Sequence, residues 1–142
     1  MDGILVDSNV QQHVQILRYI LESESWQEVW SSLALPILSF SDVELPRDAT
    51  DSVVWHFCQQ HELCLVTANR NMTGPDSLEA TIRRANAPNS LPVFTLADPE
   101  QVRHSSNYAG RVAESLLEYL IDIDKYRGTG RLYLPSRAPG GV

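Results

Sequence analysis

Two apolar runs constrain this chain more than anything else in it. They are Ile4-Leu5-Val6 near the start and Leu63-Cys64-Leu65-Val66-Thr67 further on. Each is short and continuous, the pattern of a strand buried on both faces. Each also stops on short polar side chains, Asp7-Ser8-Asn9 after the first and Asn69-Arg70-Asn71 after the second. Strands without polar alternation belong to parallel sheets covered by helices, and parallel neighbours need a long crossover between them. The intervening chain supplies it. Val10, Val14, Leu17, Ile20 and Leu21 recur at helical spacing, with Ser8 or Asn9 as the N-cap and an end near Glu24. Ser25 caps a second short helix carrying Trp26, Val29, Trp30 and Leu33, which Pro36 ends. Ile37, Leu38 and Phe40 make a further strand.

The second half repeats the alternation. Ser41 to Thr50 is a loop kept irregular by Pro46, with Asp42, Glu44, Asp48 and the following Asp51 in or beside it. Thr50 or Asp51 opens a helix whose apolar face is Val53, Val54, Phe57 and Cys58, with Trp55 and His56 to the side. Gly74-Pro75 breaks the chain after the second apolar run, and Asp76 or Ser77 caps a helix bearing Leu78, Ile82 and Ala85. Val93 to Leu96 is a strand, and Asp98-Pro99-Glu100 has the composition of a helix start. Gly110 separates that helix from a longer one buried through Val112, Leu116, Leu117, Leu120, Ile121 and Ile123. Arg131 to Pro135 reads as an edge strand. The expected fold is therefore α/β, a three-layer α/β/α sandwich around a parallel sheet of four or five strands. Residues 1–134 form one domain and the Pro/Gly-rich residues 135–142 a flexible C-terminal tail.

Composition narrows the function. No apolar run is long enough to span a membrane, and Ile4 to Val6 is too short for a signal peptide, so a soluble, cytoplasmic protein is expected. Cys58 and Cys64 lack metal-ligand spacing and read as buried, reduced thiols. His13, His56, His61 and His104 show no metal-ligand spacing either. There is no Gly-x-Ser-x-Gly turn and no Gly-rich phosphate loop. The net charge of −7 argues against a strong nonspecific nucleic-acid binder. Its distribution is uneven: residues 1–62 hold ten acidic and two basic side chains, and residues 63–142 hold eight and nine. Ten of the eleven basic residues are Arg, the better phosphate fork.

In a parallel sheet, ligands gather beyond the carboxyl ends of the strands. Asp7, Thr67 and Asn69 would project there, and Asp51 at a helix head would face the same crevice. Two carboxylates with amide oxygens suit a hard cation such as Mg²⁺. The order Ile4-Leu5-Val6-Asp7-Ser8-Asn9, then Asp51 at a helix head, then Leu65-Val66-Thr67-Ala68-Asn69-Arg70-Asn71, resembles the PIN-like domain over about residues 3–100. The resemblance is closest to small stand-alone PIN-like proteins related to the toxins of toxin–antitoxin systems. It implies a single PIN-like domain and cleavage of single-stranded RNA supported by Mg²⁺ or Mn²⁺. It puts Asp7 and Asp51 at two acidic metal positions and Thr67 at the Thr or Ser before the next acids. Here the chain departs from the family, which usually carries Asp where Asn69 stands and often where Asn71 stands. Asn69 would add a neutral ligand or orient water, with Asn71, Glu44, Asp48 and Asp76 as supporting candidates and Arg70 as an RNA contact. The partners implied are RNA, an antitoxin and a second copy of the chain. The alternative is a weakened or inactive PIN-like domain that binds RNA or protein. Trp26, Trp30 and the helix from Arg111 to Asp124 would then supply its dimer or partner surface.

Overall fold

The computed structural model describes residues 1–69 and 73–136. Strands β1 (Gly3–Val6), β2 (Ile37–Leu38), β3 (Leu63–Thr67), β4 (Val93–Leu96) and β5 (Arg131–Leu134) form one sheet, all parallel, in the order β2-β1-β3-β4-β5. The helices are α1 (Gln11–Leu21), α2 (Gln27–Leu33), α3 (Asp51–Gln60), α4 (Leu78–Ala85), α5 (Pro99–His104) and α6 (Ser106–Ile121). One layer, containing α1, α5 and α6, packs on Ile4, Val6, Cys64, Val66, Phe94, Leu96 and Leu134, and Trp30 of α2 joins it. The other, α3 and α4, packs on Leu5, Leu63, Leu65 and Val93. Alternate residues of each strand thus feed opposite layers. That is why the apolar runs are continuous, and it makes the chain an α/β/α sandwich.

Local chemistry sets the helix starts. Thr50 Oγ1 accepts the Val53 N–H (3.2 Å), Ser77 Oγ accepts that of Ala80 (3.1 Å), and Asp98 Oδ1 accepts that of Gln101 (3.2 Å) before Pro99 in the first turn. Three expectations change. The break between α5 and α6 falls at Ser105, whose Oγ accepts the Tyr108 N–H, and Gly110 lies inside α6. A glycine costs a helix about 1 kcal/mol, and the buried neighbours Ala109, Val112 and Ala113 outweigh that. Along α3 the buried face is Val54, Trp55 and Cys58, while Val53 is exposed, so the stripe is rotated from its expected position. At the C-terminus, Ser136, expected in the flexible tail, donates its N–H to Ser115 Oγ (3.0 Å) on α6. Residues 137–142 lie outside the described part.

Cys58 and Cys64 are free and buried, and burial pushes both thiols up to about 12. They stay protonated and contribute as small apolar groups.

The amino-terminal pole of the sheet is tied by ions. Arg127 Nη2 donates to Glu62 Oε1 (2.8 Å), its Nε to Asp124 Oδ1 (2.8 Å) and its Nη1 to the Asn89 carbonyl (2.9 Å). The Met1 amino group stands 3.6 Å from the same Glu62 oxygen. The Arg127 hydrogen bond holds the Glu62 carboxyl below its ordinary value. A depressed carboxylate stabilises the fold above its unfolded pKa and loses that contribution as pH falls through the folded value. Urea midpoints are therefore expected to drop between about pH 5 and pH 3, and Glu62→Gln should flatten part of that drop. The pair is partly exposed, so Arg127→Ala is expected to cost only about 1–2 kcal/mol at neutral pH. Identical acid profiles for wild type and Glu62→Gln would remove Glu62 from the account.

Candidate functional site at the carboxyl ends of β1 and β3

From β1 the chain crosses outward to β2, then returns past β1 to β3. The winding direction therefore reverses between β1 and β3, the place where open parallel sheets leave a crevice at their carboxyl ends. Register sets what stands there. Val6 pairs with Val66, so Asp7 and Thr67 follow side by side, and Thr67 pairs with Thr95. Asp7 and Thr67 continue the α3/α4 face begun by Leu5 and Leu65.

Asp7 stands at the N-cap position of a 3-10 turn (Ser8–Val10), yet its side chain makes no capping bond. Its Oδ2 instead accepts the Thr67 hydroxyl at 2.7 Å. Thr67 is wholly buried, and its oxygen accepts the Asn69 N–H at 2.9 Å, so the hydroxyl both donates and accepts. Asp51 is the first residue of α3, whose cap is Thr50. Asp51 Oδ2 accepts the Asn69 side-chain amide (2.9 Å) and the Leu78 N–H (3.1 Å) at the first turn of α4. One carboxylate oxygen thus lies between two helix N-termini, where negative charge is favoured. The sequence brings Asp7, Thr67, Asn69 and Asp51 together as expected and joins them by hydrogen bonds.

Asp7, Asp51 and Asn69 line one cavity of 50 Å³ with Phe40, Arg47 and Leu78. A water molecule's share of liquid is about 30 Å³, so this space suits an ion with a water and not a phosphate group. The other oxygen of each carboxylate takes no hydrogen bond among the described residues. Two carboxylates with spare oxygens and open space are a donor set that Mg²⁺ or Mn²⁺ accepts, completed by water. The set is lean. Among the described residues no three His, Cys, Asp or Glu side chains gather to hold a metal. The charge missing at Asn69 is replaced by an amide that donates to Asp51.

Of the supporting candidates, Asp76 is exposed and lines another, open cavity between the starts of α3 and α4, which Asp51 lines as well and Asp7 does not. Glu44 and Asp48 are exposed and outside the lining of the Asp7 cavity. Arg70 and Asn71 lie outside the described residues.

Two arginines were not anticipated. Arg47, in the loop before α3, lines the Asp7 cavity. Its place among Asp42, Glu44, Asp48 and Asp51 was the one local hint. Arg131 begins β5, and its side chain is only 8% exposed. Its Nη1 donates to the Asn69 carbonyl (2.8 Å) and to Thr95 Oγ1 (2.7 Å), and its Nη2 lies 3.6 Å from Glu79 of α4. It braces the backbone at Asn69, and nothing in its local sequence announced this. Among the described residues no helix is long and apolar enough to cross a membrane. A scan against protein-family models finds no match, and searches of the curated proteins and of the solved structures find none either.

Proposed function

We propose that the chain is a PIN-like domain that binds a divalent cation through Asp7 and Asp51 and cleaves single-stranded RNA. The observation that carries this reading is the convergence of those two carboxylates on one cavity at the sheet's reversal point. Asp7 and Asp51 would hold Mg²⁺ or Mn²⁺. When bound, the ion supplies Lewis acidity toward the phosphate and lowers the pKa of water. The chain's own groups orient the rest. Thr67 fixes one Asp7 oxygen, and the other takes no hydrogen bond among the described residues. Asn69 does the same for Asp51. Arg47, exposed at the cavity, would meet the scissile phosphate as it arrives. A role as a toxin with an antitoxin partner, acting in the cytoplasm, belongs to the same reading and rests on the family resemblance alone.

A second reading has its own support. The Asn69 amide satisfies Asp51 without any cation, so the domain would keep its shape as a non-cleaving RNA- or protein-binding module. The partner surface expected for that case is largely spent. Trp30 and the Val112, Leu116, Leu117 and Leu120 stripe of α6 lie in the core.

Asn69→Asp separates the readings. It sets a second carboxylate against Asp51, so metal-free stability should fall by about 1–3 kcal/mol. If the site takes a cation, Mn²⁺ should restore that loss in thermal melts and raise cleavage of an unstructured RNA about tenfold. Melts indifferent to Mn²⁺ and Mg²⁺ in both wild type and variant would sink the metal assignment.

A further inference from the structure

A second cavity lies against the first, on the opposite face of the sheet. It is a groove of 350 Å³ between α1 and the edge strand β2, within the size range of small-molecule sites. The end of β1 and the loop after β2 divide the two spaces residue by residue. Val6 lines the groove and Asp7 the other cavity, and Ser39 and Ser41 line the groove while Phe40 lines the other. A chain molecule lying across the end of β1 would reach both.

The groove's lining selects its occupant. Val6, Val14 and Leu38 give an apolar floor, and Gln15, Arg18, Ser39 and Asp42 a polar rim with charge of both signs. The rim is pre-set. Asp42 Oδ2 accepts the Ser39 N–H (2.8 Å), and Ser39 Oγ accepts the Asp42 N–H (3.2 Å). The second Asp42 oxygen takes no hydrogen bond among the described residues. The Asp42 carboxylate welcomes N–H donors, and Arg18 of the same lining, paired with Glu22 at 3.3 Å, offers N–H groups to an acceptor, so the rim suits a base edge that carries both donors and an acceptor. Guanine has two adjacent N–H donors, N1–H and the exocyclic N2 amine, with a carbonyl oxygen beside them. A carboxylate and a glutamine amide match that edge.

We propose that this groove is a subsite for one unpaired guanine of the RNA that would be cleaved at the cation bound by Asp7 and Asp51. The proposal rests on the cleavage reading for its second half. Unpaired bases are the part of RNA that proteins read by hydrogen-bonding edges. Among the described residues no aromatic ring lines the groove, so selectivity comes from the edge and not from stacking.

The test is fluorescence anisotropy of labelled U-U-G-U-U, U-U-A-U-U and U-U-U-U-U ribo-oligonucleotides in EDTA, which removes cleavage. Wild type should bind the guanine oligonucleotide about tenfold more tightly than the others. Asp42→Asn keeps an acceptor for the Ser39 N–H but loses the carboxylate, and should bring the three within about twofold. Asp7→Asn should retain the preference. No binding, equal binding of all three by wild type, or a preference surviving in Asp42→Asn would overturn the subsite. Cleavage of the same oligonucleotides in Mn²⁺ is scored separately. Cleavage without a guanine preference in EDTA removes the subsite and leaves the nuclease. A guanine preference with no cleavage removes the nuclease and leaves the groove.

Discussion

Asp7→Asn is expected to lower kcat/KM for single-stranded RNA by at least about 100-fold while stability moves by less than about 1 kcal/mol. The separation follows from the two oxygens of one carboxylate. The oxygen that accepts the Thr67 hydroxyl is replaced by an amide oxygen that also accepts, so the wholly buried threonine keeps its partner. The other oxygen, which takes no hydrogen bond among the described residues, becomes an NH₂ group, which carries no charge and cannot bind a cation. Asp7→Ala would be a poorer test, because it orphans Thr67 and mixes folding with chemistry. Rates on an unstructured RNA in Mg²⁺ and Mn²⁺, with urea unfolding alongside, read both quantities. Cleavage undiminished in Asp7→Asn would overturn the proposed function.

The largest effect on folding is expected at Arg131. Arg131→Met preserves much of the side-chain volume but leaves the Asn69 carbonyl and the Thr95 hydroxyl without their donor and Glu79 without its counter-charge. Removing one partner of a buried, charge-assisted set costs about 3 kcal/mol, which at this chain length corresponds to roughly 10 °C in Tm. Arg131→Lys should recover less than half of it, since an ammonium cannot fork across two acceptors and a carboxylate. Arg83→Met, at an exposed position on α4, is the control and should change stability by less than about 0.5 kcal/mol. Because Arg131 holds the backbone of Asn69, its loss should also depress cleavage at temperatures where the variant remains folded. A stability loss no greater than that of the control would show that the guanidinium does not brace the backbone at Asn69.

The parts legible in the sequence share one physical cause. β1 and β3 are buried on both faces, so their composition had to be continuously apolar, and the first polar residue after each run had to mark the end of the sheet. Neighbouring parallel strands of matched length then bring those ends together, and Asp7 meets Thr67. Asp51 was legible because a helix head before β3 points back to the same edge. The rest depends on contacts between distant segments. Helix-start rules make Asp7 a cap, but the Thr67 hydroxyl on the neighbouring strand outcompetes the local backbone for its oxygen. Gly110 looked like a helix break because glycine is a poor helix former, whereas Ser105 is a true cap whose signal lay in the run His104-Ser105-Ser106. Trp55 is buried because of where α3 sits over β3, which the spacing of its apolar residues fixes only to within a side chain. Arg131 reads locally as an ordinary charged residue on an edge strand. Only the parallel pairing of β5 with β4 lays its side chain along Thr95 toward Asn69.

The brevity of the outer strands bears on how copies of this chain can associate. β2 contributes two residues between Pro36 and the 3-10 turn at Ser41–Val43, and β5 contributes four between Gly130 and Pro135. An outer strand is a template for a further strand, and proline next to it lacks the N–H that an added neighbour would need. Both margins of the sheet are therefore closed to growth after a few rungs. Accretion of one sheet onto another, the usual hazard of an open parallel sheet, is thereby disfavoured at its two borders.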